Sequence, residues 1–155
     1  MDYQTKLIDK KDLRRMEKQM RPMDRFEFDL MSGGWSMRDC LEDLDRRTLV
    51  AKAAYLDGKL LAIGGVVPAM SALSTVGSPW LCATPLVETR EGRRAFIQHS
   101  RSEFELVSFP FRLLWNVCSE KNVIAIRWLK WLGFEFDGSN IEIDGNRFLK
   151  FKMER

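Results

Sequence analysis

Apolar and polar residues follow one another along this chain in blocks that predict strands and helices in mixed order. The clearest stretch is 113–134, in which the short apolar run LLWNV predicts a buried strand. A helix is predicted directly after it, because apolar residues recur at helical spacing: Ile124, Ala125, Trp128, Leu129 and Leu132. Ser119 or Asn122 is placed to cap this helix, and Gly133 is placed to end it.

The first third of the chain predicts one strand followed by three helices. Alternation from Tyr3 to Leu7 predicts the strand. Asp9 with Asp12 three residues later predicts the reciprocal capping of a first helix, which Pro22 interrupts. A second short helix is predicted before the break at Ser32-Gly33-Gly34, and Ser36 opens a third.

The middle and the end of the chain predict hairpins around a further helix. Asp57-Gly58 and Asp144-Gly145 each lie between apolar runs, which is a strong hairpin signal. Gly64-Gly65 predicts a bulge or a close backbone approach within a strand. A loop is predicted over 69–78 and a strand over 80–87, followed by a helix with an apolar face of Phe96, Ile97, Phe104 and Val107.

Composition is that of an ordinary globular protein. The chain has 155 residues, of which 45% are hydrophobic and 30% charged, and we predict a single domain over 1–155. The net charge is only +3 and both signs are interleaved, so nothing in the charge indicates a nucleic-acid partner. The three cysteines have neither disulfide nor zinc spacing, and no metal is predicted. No signal peptide or membrane span is found, so we predict a cytoplasmic protein.

Asn122, Ala125, Gly133 and Phe134 form a pattern of N-x-x-A, seven residues, then G-F. This pattern resembles the second conserved block of the GNAT (GCN5-related N-acetyltransferase) superfamily. With the preceding WNV, the composite is most similar to a bacteriophage branch of the internal-virion-protein-A type. Any strand-helix-strand unit with a glycine stop would explain Gly133, but it would not explain the spacing of Asn122 and Ala125.

The resemblance implies an α/β (α+β) fold with a central mixed, mostly antiparallel, twisted sheet flanked by helices. It also implies that two neighbouring strands part, and that the pantetheine arm of acetyl-CoA lies in the opening. The residues that it assigns to cofactor binding are Leu86 and Val87 at the strand end, Thr89, Arg90, Gly92, Arg93 and Arg94 in the diphosphate loop, and Asn116, Asn122 and Ala125 beside the arm. The helices after the first strand would form a wall of the acceptor cleft, with Phe26, Glu27 and Trp35 as candidate contacts. The alternative role for each of them is a core position on a helix face or a solvated charge.

The chain departs from the pattern of active members at several positions. If Gly92 is the first glycine of Q/R-x-x-G-x-G/A, Thr89 replaces Gln or Arg, and Arg94 replaces the last small residue. Arg94 would crowd the backbone approach, or the arginines would attract phosphate directly. Pro85, within the predicted strand, would remove an amide donor. Leu129 stands where many members have the tyrosine that protonates the leaving thiolate.

Two residues are the candidates for chemistry. Glu88, at the predicted strand end, is the candidate base, and its alternative role is a solvated carboxylate. Cys118 is the candidate nucleophile or acid, and its alternative role is a small buried apolar side chain. His99 is predicted to be solvated rather than catalytic.

Three functions follow from the resemblance. The first is an acyl-CoA-dependent N-acetyltransferase with an amine acceptor. The second is a phage GNAT-like protein that has lost catalysis and serves in virion assembly or within the particle. The third is a phage protein that binds a host factor through the same cleft. The altered loop, Pro85 and the missing tyrosine favour the second and third, and the sequence leaves the oligomeric state open.

Overall fold

The computed structural model describes residues 1–155, which form a seven-stranded sheet and five helices. The strands are β1 (Tyr3–Leu7), β2 (Lys52–Leu56), β3 (Lys59–Pro68), β4 (Val76–Ala83), β5 (Leu113–Ser119), β6 (Asn140–Ile143) and β7 (Asn146–Glu154). The helices are α1 (Lys10–Gln19), α2 (Pro22–Ser32), α3 (Met37–Arg47), α4 (Arg90–Ser108) and α5 (Val123–Leu132). The strand order is β1-β2-β3-β4-β5-β7-β6, and every pair is antiparallel except β4 with β5. The predicted mixed, mostly antiparallel sheet is confirmed.

Local capping chemistry sets the helix ends as predicted. Asp9 and Asp12 form the reciprocal capping box of α1, and Ser36 accepts from the Asp39 amide at the start of α3. Of the two candidate caps for α5, the structure selects Asn122, whose side chain accepts from the Ala125 amide. Both predicted hairpins are present, with β2 paired to β3 and β6 paired to β7. The residues of each turn, 57–58 and 144–145, adopt the positive φ of a two-residue turn.

The prediction for the fourth strand is wrong at both ends. The strand is Val76–Ala83 rather than 80–87, and the loop before it is 69–75. Pro85 begins a short 3₁₀ turn, Pro85–Glu88, which also contains Leu86 and Val87. The first position of a helical turn needs no amide donor, so the proline is accommodated there and no hydrogen bond of the sheet is lost. The turn arises where a proline follows Thr84, which is the last residue to bond to β3, donating from its amide to Leu61 O over 3.0 Å.

Of the two predicted roles for the glycines in β3, the structure shows the close approach of neighbouring segments. A β-carbon at Gly64 would stand 2.7 Å from Trp80 O, and one at Gly65 would stand 2.6 Å from Thr48 Cγ2. The bulge lies elsewhere in β3, at Leu61, which has no partner in β2 because Ala54 pairs with Ala62 and Tyr55 pairs with Leu60. At these positions only glycine fits between neighbouring segments.

Helices cover the sheet on both faces. On one face α1 and α3 pack on a core that includes Met16, Leu41, Ile63, Trp80 and Cys82. On the other face α4 and α5 pack on a core that includes Phe104, Leu114, Leu129, Phe134 and Phe151. Trp115, which the predicted buried strand places in the core, is 40% exposed, and Ile124, on the predicted apolar face of α5, is 51% exposed. No helix combines the length and the apolar character needed to cross a membrane.

Candidate functional site

The parallel strands β4 and β5 separate soon after they meet. They are in register only at Val76 with Leu113 and at Gly77 with Leu114. The next residue of β4 that faces β5 is Pro79, which has no amide to donate, so the ladder ends there. Beyond this point the two strands enclose a gap, which we refer to as the β4–β5 opening.

Side chains satisfy the edge of β5 along the opening. Asn116 donates from Nδ2 to Pro79 O across the gap over 2.8 Å, and its Oδ1 accepts from the Val117 amide, also over 2.8 Å. Further along, the Ser119 amide donates to Glu27 Oε2 over 2.6 Å. The amides of β5 that would have paired with β4 are therefore bonded to side chains.

The edge of β4 leaves one residue without a partner from the protein. Since alternate residues of a strand point to opposite neighbours, and Thr84 donates to β3, Leu81 and Ala83 face the opening. Ala83 is bonded on both sides, because its amide donates to Asp24 Oδ2 over 2.8 Å and its carbonyl accepts from the Arg21 amide over 2.7 Å. No strand pairs with Leu81 on this side, so its backbone amide and carbonyl remain available.

A cavity of about 470 Å³ passes through the opening and reaches both faces of the sheet. Most of its lining is apolar or aromatic, from Phe28, Met31, Trp35, Trp80, Leu81, Phe96, Trp128 and Leu129 among others. The polar residues of the lining include Glu27, Ser100, Asn116 and Cys118. The cavity has the size and the mixed lining of a small-molecule site.

Buried polar side chains close the wide end of the opening. Arg21, 5% exposed, donates to Asp24 over 2.7 Å, to Asn122 Oδ1 over 3.0 Å and to Glu88 over 3.2 Å. Asn122 in turn donates to Glu27 Oε1 over 2.9 Å. Arg21 Nε is the one buried side-chain nitrogen or oxygen without a partner. We refer to residues 21–24, which join α1 to α2 and contact Ala83, as the α1–α2 corner.

Glu27 has the electrostatic properties of a base at neutral pH. Burial raises its pKa to about 7, and the hydrogen bonds from Ser119 and Asn122 offset only part of this effect. The charged or titratable groups that face it are Asp24 and Arg21 from the α1–α2 corner and Cys118 from β5. Sequence reasoning placed Glu27 only on the wall of an acceptor cleft, because its partners are 92 and 95 residues away along the chain.

Glu88 and Cys118, the two predicted catalytic residues, occupy very different surroundings. Glu88 is exposed, pairs with Arg21, and does not line the cavity. Cys118 lines the cavity, but burial raises the pKa of its thiol to about 12. Leu129 is buried in the lining at the position of the missing tyrosine. Tyr3 also borders the cavity, stacked on His99 at 3.9 Å, and burial raises its pKa to about 12.

The predicted diphosphate loop is largely occupied by its own contacts. Thr89 caps α4 by accepting from the Gly92 amide over 3.1 Å, and its hydroxyl donates to Leu86 O over 2.7 Å. A β-carbon on Gly92 would collide with Leu86 O, so this glycine is required by the packing of the 3₁₀ turn against α4. The amides of Arg90 and Glu91, in the first turn of α4, remain free to bind a ligand, since a helix offers them no internal partner.

Basic side chains surround this helix start. Arg90, Arg93 and Arg94 are all exposed, and Arg93 donates to Glu88 O over 3.1 Å. Together with the positive end of the α4 dipole they make an anion-attracting region beside the opening. No group of three or more His, Cys, Asp or Glu side chains is arranged to hold a metal ion.

Trp128 spans the space between α4 and α5 above the opening. Its ring lies 5.1 Å from that of Phe96, and its Nε1 donates to Ser100 Oγ over 2.9 Å. Ala125, one turn earlier on α5, is half-buried and does not line the cavity. The structure thus brings Asn116, Asn122 and Trp128 to the opening, while the arginines and Glu88 lie outside the cavity.

Several solved structures that superpose on the whole chain are acetyltransferases. The chain superposes on the aminoglycoside acetyltransferase AAC(6')-Ib in complex with coenzyme A with a TM-score of 0.67, at 15% identity and over 99% of this chain and 95% of that one. The ribosomal-protein-S18-alanine N-acetyltransferase of Escherichia coli gives 0.63 at 18% identity over 99% and 94%. A GNAT-family acetyltransferase of Streptococcus pneumoniae gives 0.60 at 13% identity over 99% and 100%.

The chain has the GNAT fold. At these identities the likeness establishes the fold alone, and no protein-family model and no curated protein sequence matches the chain. The expected parting of two neighbouring strands ahead of the tryptophan-bearing helix is present in this GNAT fold as the β4–β5 opening.

Proposed function

We propose that this protein binds an acyl-CoA, such as acetyl-CoA, in the β4–β5 opening, and that it transfers the acyl group to an amine slowly or not at all. The observation that supports the proposal is the unpaired backbone of Leu81 inside a cavity that passes between the parted strands. Solved structures with this fold have been determined with coenzyme A or acetyl-CoA bound.

The residues around the opening fit the two ends of such a molecule unequally. At the cavity, the Leu81 amide is free to donate to a thioester carbonyl and so polarise it. At the start of α4, the amides of Arg90 and Glu91 and the three arginines suit a diphosphate. Gly92, by contrast, offers neither a free amide nor space, because Thr89 and Leu86 occupy both. We therefore expect binding that is weaker than in active GNAT enzymes.

A bound acyl-CoA would supply the thioester whose carbon-sulfur bond breaks as the amine nitrogen forms a bond to the carbonyl carbon. Glu27 would take the proton that the amine loses, because its raised pKa of about 7 leaves it partly ionised at neutral pH. The departing sulfur also needs a proton. Tyr3 and Cys118 hold theirs too tightly, with pKa values near 12, and Leu129 has none to give. Slow or absent turnover follows from this lack of an acid.

Isothermal titration calorimetry with acetyl-CoA tests the proposal. We expect saturable heat that coenzyme A abolishes and that Arg90→Ala weakens, with Arg147→Ala, an exposed arginine on β7, as the matched control. Release of free thiol in the presence of amines measures turnover in the same samples. Absence of heat at millimolar ligand would refute binding, and turnover at the rate of ordinary acetyltransferases would refute the weakened chemistry.

A second candidate is a non-enzymatic role, and the α1–α2 corner favours it. Asp24 and Arg21 occupy the backbone groups of Ala83, and Trp128 fills the space between α4 and α5. The resemblance to the phage branch then suggests a protein of the host cytoplasm that is packaged in the virion or binds a host factor. Mass spectrometry of purified particles tests this role, and a particle without the protein would exclude packaging.

A further inference from the structure

The charges that line the cavity are paired in a way that restricts the acceptor. Three carboxylates line it: Glu27, Asp43 and Glu103. Glu103 is paired with Lys52 at 2.6 Å, and Asp43 is paired with Arg47 at 2.9 Å and also with Arg46. Glu27 is therefore the one lining carboxylate that has no ion pair, since the facing Arg21 is bonded to Asp24, Glu88 and Asn122 instead.

The surroundings of Glu27 on the α2 and α3 side are mostly apolar, and the charged residues there, Asp43 and Arg47, are already paired with each other. Phe28, Met31, Leu44 and Trp80 line this part of the cavity, and Trp35, 55% exposed, lies at its outer rim. Both Glu27 oxygens accept one hydrogen bond from the protein, and each retains a lone pair for another donor. A ligand here meets one unpaired carboxylate for a cation, and mostly apolar or aromatic walls for the rest of its body.

We infer that the acceptor side of the cavity takes a primary amine with one positive charge on a compact apolar or aromatic body, bound with its ammonium on Glu27 and its body against Phe28, Met31 and Trp35. A polyamine or an aminosugar with several ammonium groups is excluded, because its further charges would meet apolar walls or the carboxylates of Asp43 and Glu103, which are already paired with Arg47 and Lys52. As an acceptor assignment this inference rests on the proposed acyl transfer, but the binding of the amine does not depend on it.

Binding of 2-phenylethylamine, followed by calorimetry without any acyl-CoA, tests the inference. We expect saturable binding that falls by about tenfold for 2-phenylethanol, which keeps the body but lacks the charge. Glu27→Gln should cause a loss of similar size, and spermidine should bind more weakly than 2-phenylethylamine. Equal or tighter binding of spermidine, or an unchanged affinity in Glu27→Gln, would overturn the inference.

Two controls keep the result interpretable. Trp35→Ala alters an exposed side chain, and we expect it to weaken 2-phenylethylamine while leaving the fold intact, so it replaces Glu27→Gln if that variant fails to fold. Amine binding with no response to acetyl-CoA would refute the proposed function and leave this inference standing. Acetyl-CoA binding without amine binding would refute this inference and leave the proposed binding of acyl-CoA standing.

Discussion

The carboxylate of Asp24 accepts a hydrogen bond of 2.8 Å from the backbone amide of Ala83, the last residue of β4. A helix side chain thus takes the place on this strand that a neighbouring strand would otherwise take. The same carboxylate pairs with the buried Arg21 at 2.7 Å, so one residue holds both the strand edge and a buried cation. The wide end of the β4–β5 opening is closed by these contacts.

Replacing Asp24 by alanine should destabilise the protein strongly. The change leaves the Ala83 amide without a partner and removes the nearest carboxylate from Arg21, which we expect to cost about 3 kcal/mol in the free energy of unfolding. Urea denaturation measures this cost. Asp29→Ala, an exposed change on the same helix, should stay within about 0.5 kcal/mol of the parent. Equal stability of the two variants would show that the corner is not held as described.

Replacing Gly92 by alanine should also destabilise the protein, although a glycine-to-alanine change in an exposed helix interior stabilises a protein by up to about 1 kcal/mol. The added β-carbon would collide with Leu86 O and force the 3₁₀ turn away from α4. We expect a loss of about 1–3 kcal/mol in thermal or urea unfolding. Glu91→Ala, at the exposed neighbouring position, is the control. A stabilised Gly92→Ala variant would contradict the packing of this turn.

Glu27 should make the protein less stable as the pH rises from about 4.5 to about 7. In this window the unfolded chain loses the proton of Glu27 while the folded protein keeps it, so deprotonation favours unfolding. The penalty is complete above pH 7 and amounts to at most about 3 kcal/mol, since solvent screens a partly exposed carboxyl.

Urea titrations of the parent and of Glu27→Gln across this pH range measure the effect. The stability of the parent relative to the variant should fall with rising pH. If the difference between the two proteins does not change with pH, the carboxyl titrates normally and is not the proposed base.

The three cysteines should react slowly in the folded protein. Cys40, Cys82 and Cys118 are buried, and burial raises the pKa of each thiol, so little reactive thiolate forms at neutral pH. A chromogenic disulfide reagent should detect all three only after denaturation. Rapid reaction of one thiol that Cys118→Ala abolishes would restore Cys118 as a candidate nucleophile.

Features that depend on neighbouring residues were predictable from the sequence. The capping of α1 by Asp9, the turn at Asp57-Gly58 and the end of α5 at Gly133 each depend on a few adjacent residues. The position of β4 was misjudged because an apolar run, WLCATPLV, continues past the strand into a 3₁₀ turn. Periodicity alone does not separate the two.

The site itself was predictable only in part. The spacing around Asn122 indicated the parted strands, but the residues that complete their edges are brought there by long-range contacts. Arg21 is 101 residues from Asn122, and Glu27 is 92 residues from Ser119. Such contacts leave no local pattern, so the role of Glu27 and the closure by the α1–α2 corner appear only in the folded chain.

Amide hydrogen exchange at Leu81, followed by NMR with and without acetyl-CoA, tests the central claim most directly. The Leu81 amide faces the opening without a partner strand, whereas the Ala83 amide is held by Asp24. We predict that saturating acetyl-CoA slows exchange at Leu81 by about tenfold or more and leaves Ala83 unchanged. Unchanged exchange at Leu81 under saturating acetyl-CoA would show that the β4–β5 opening does not hold the thioester.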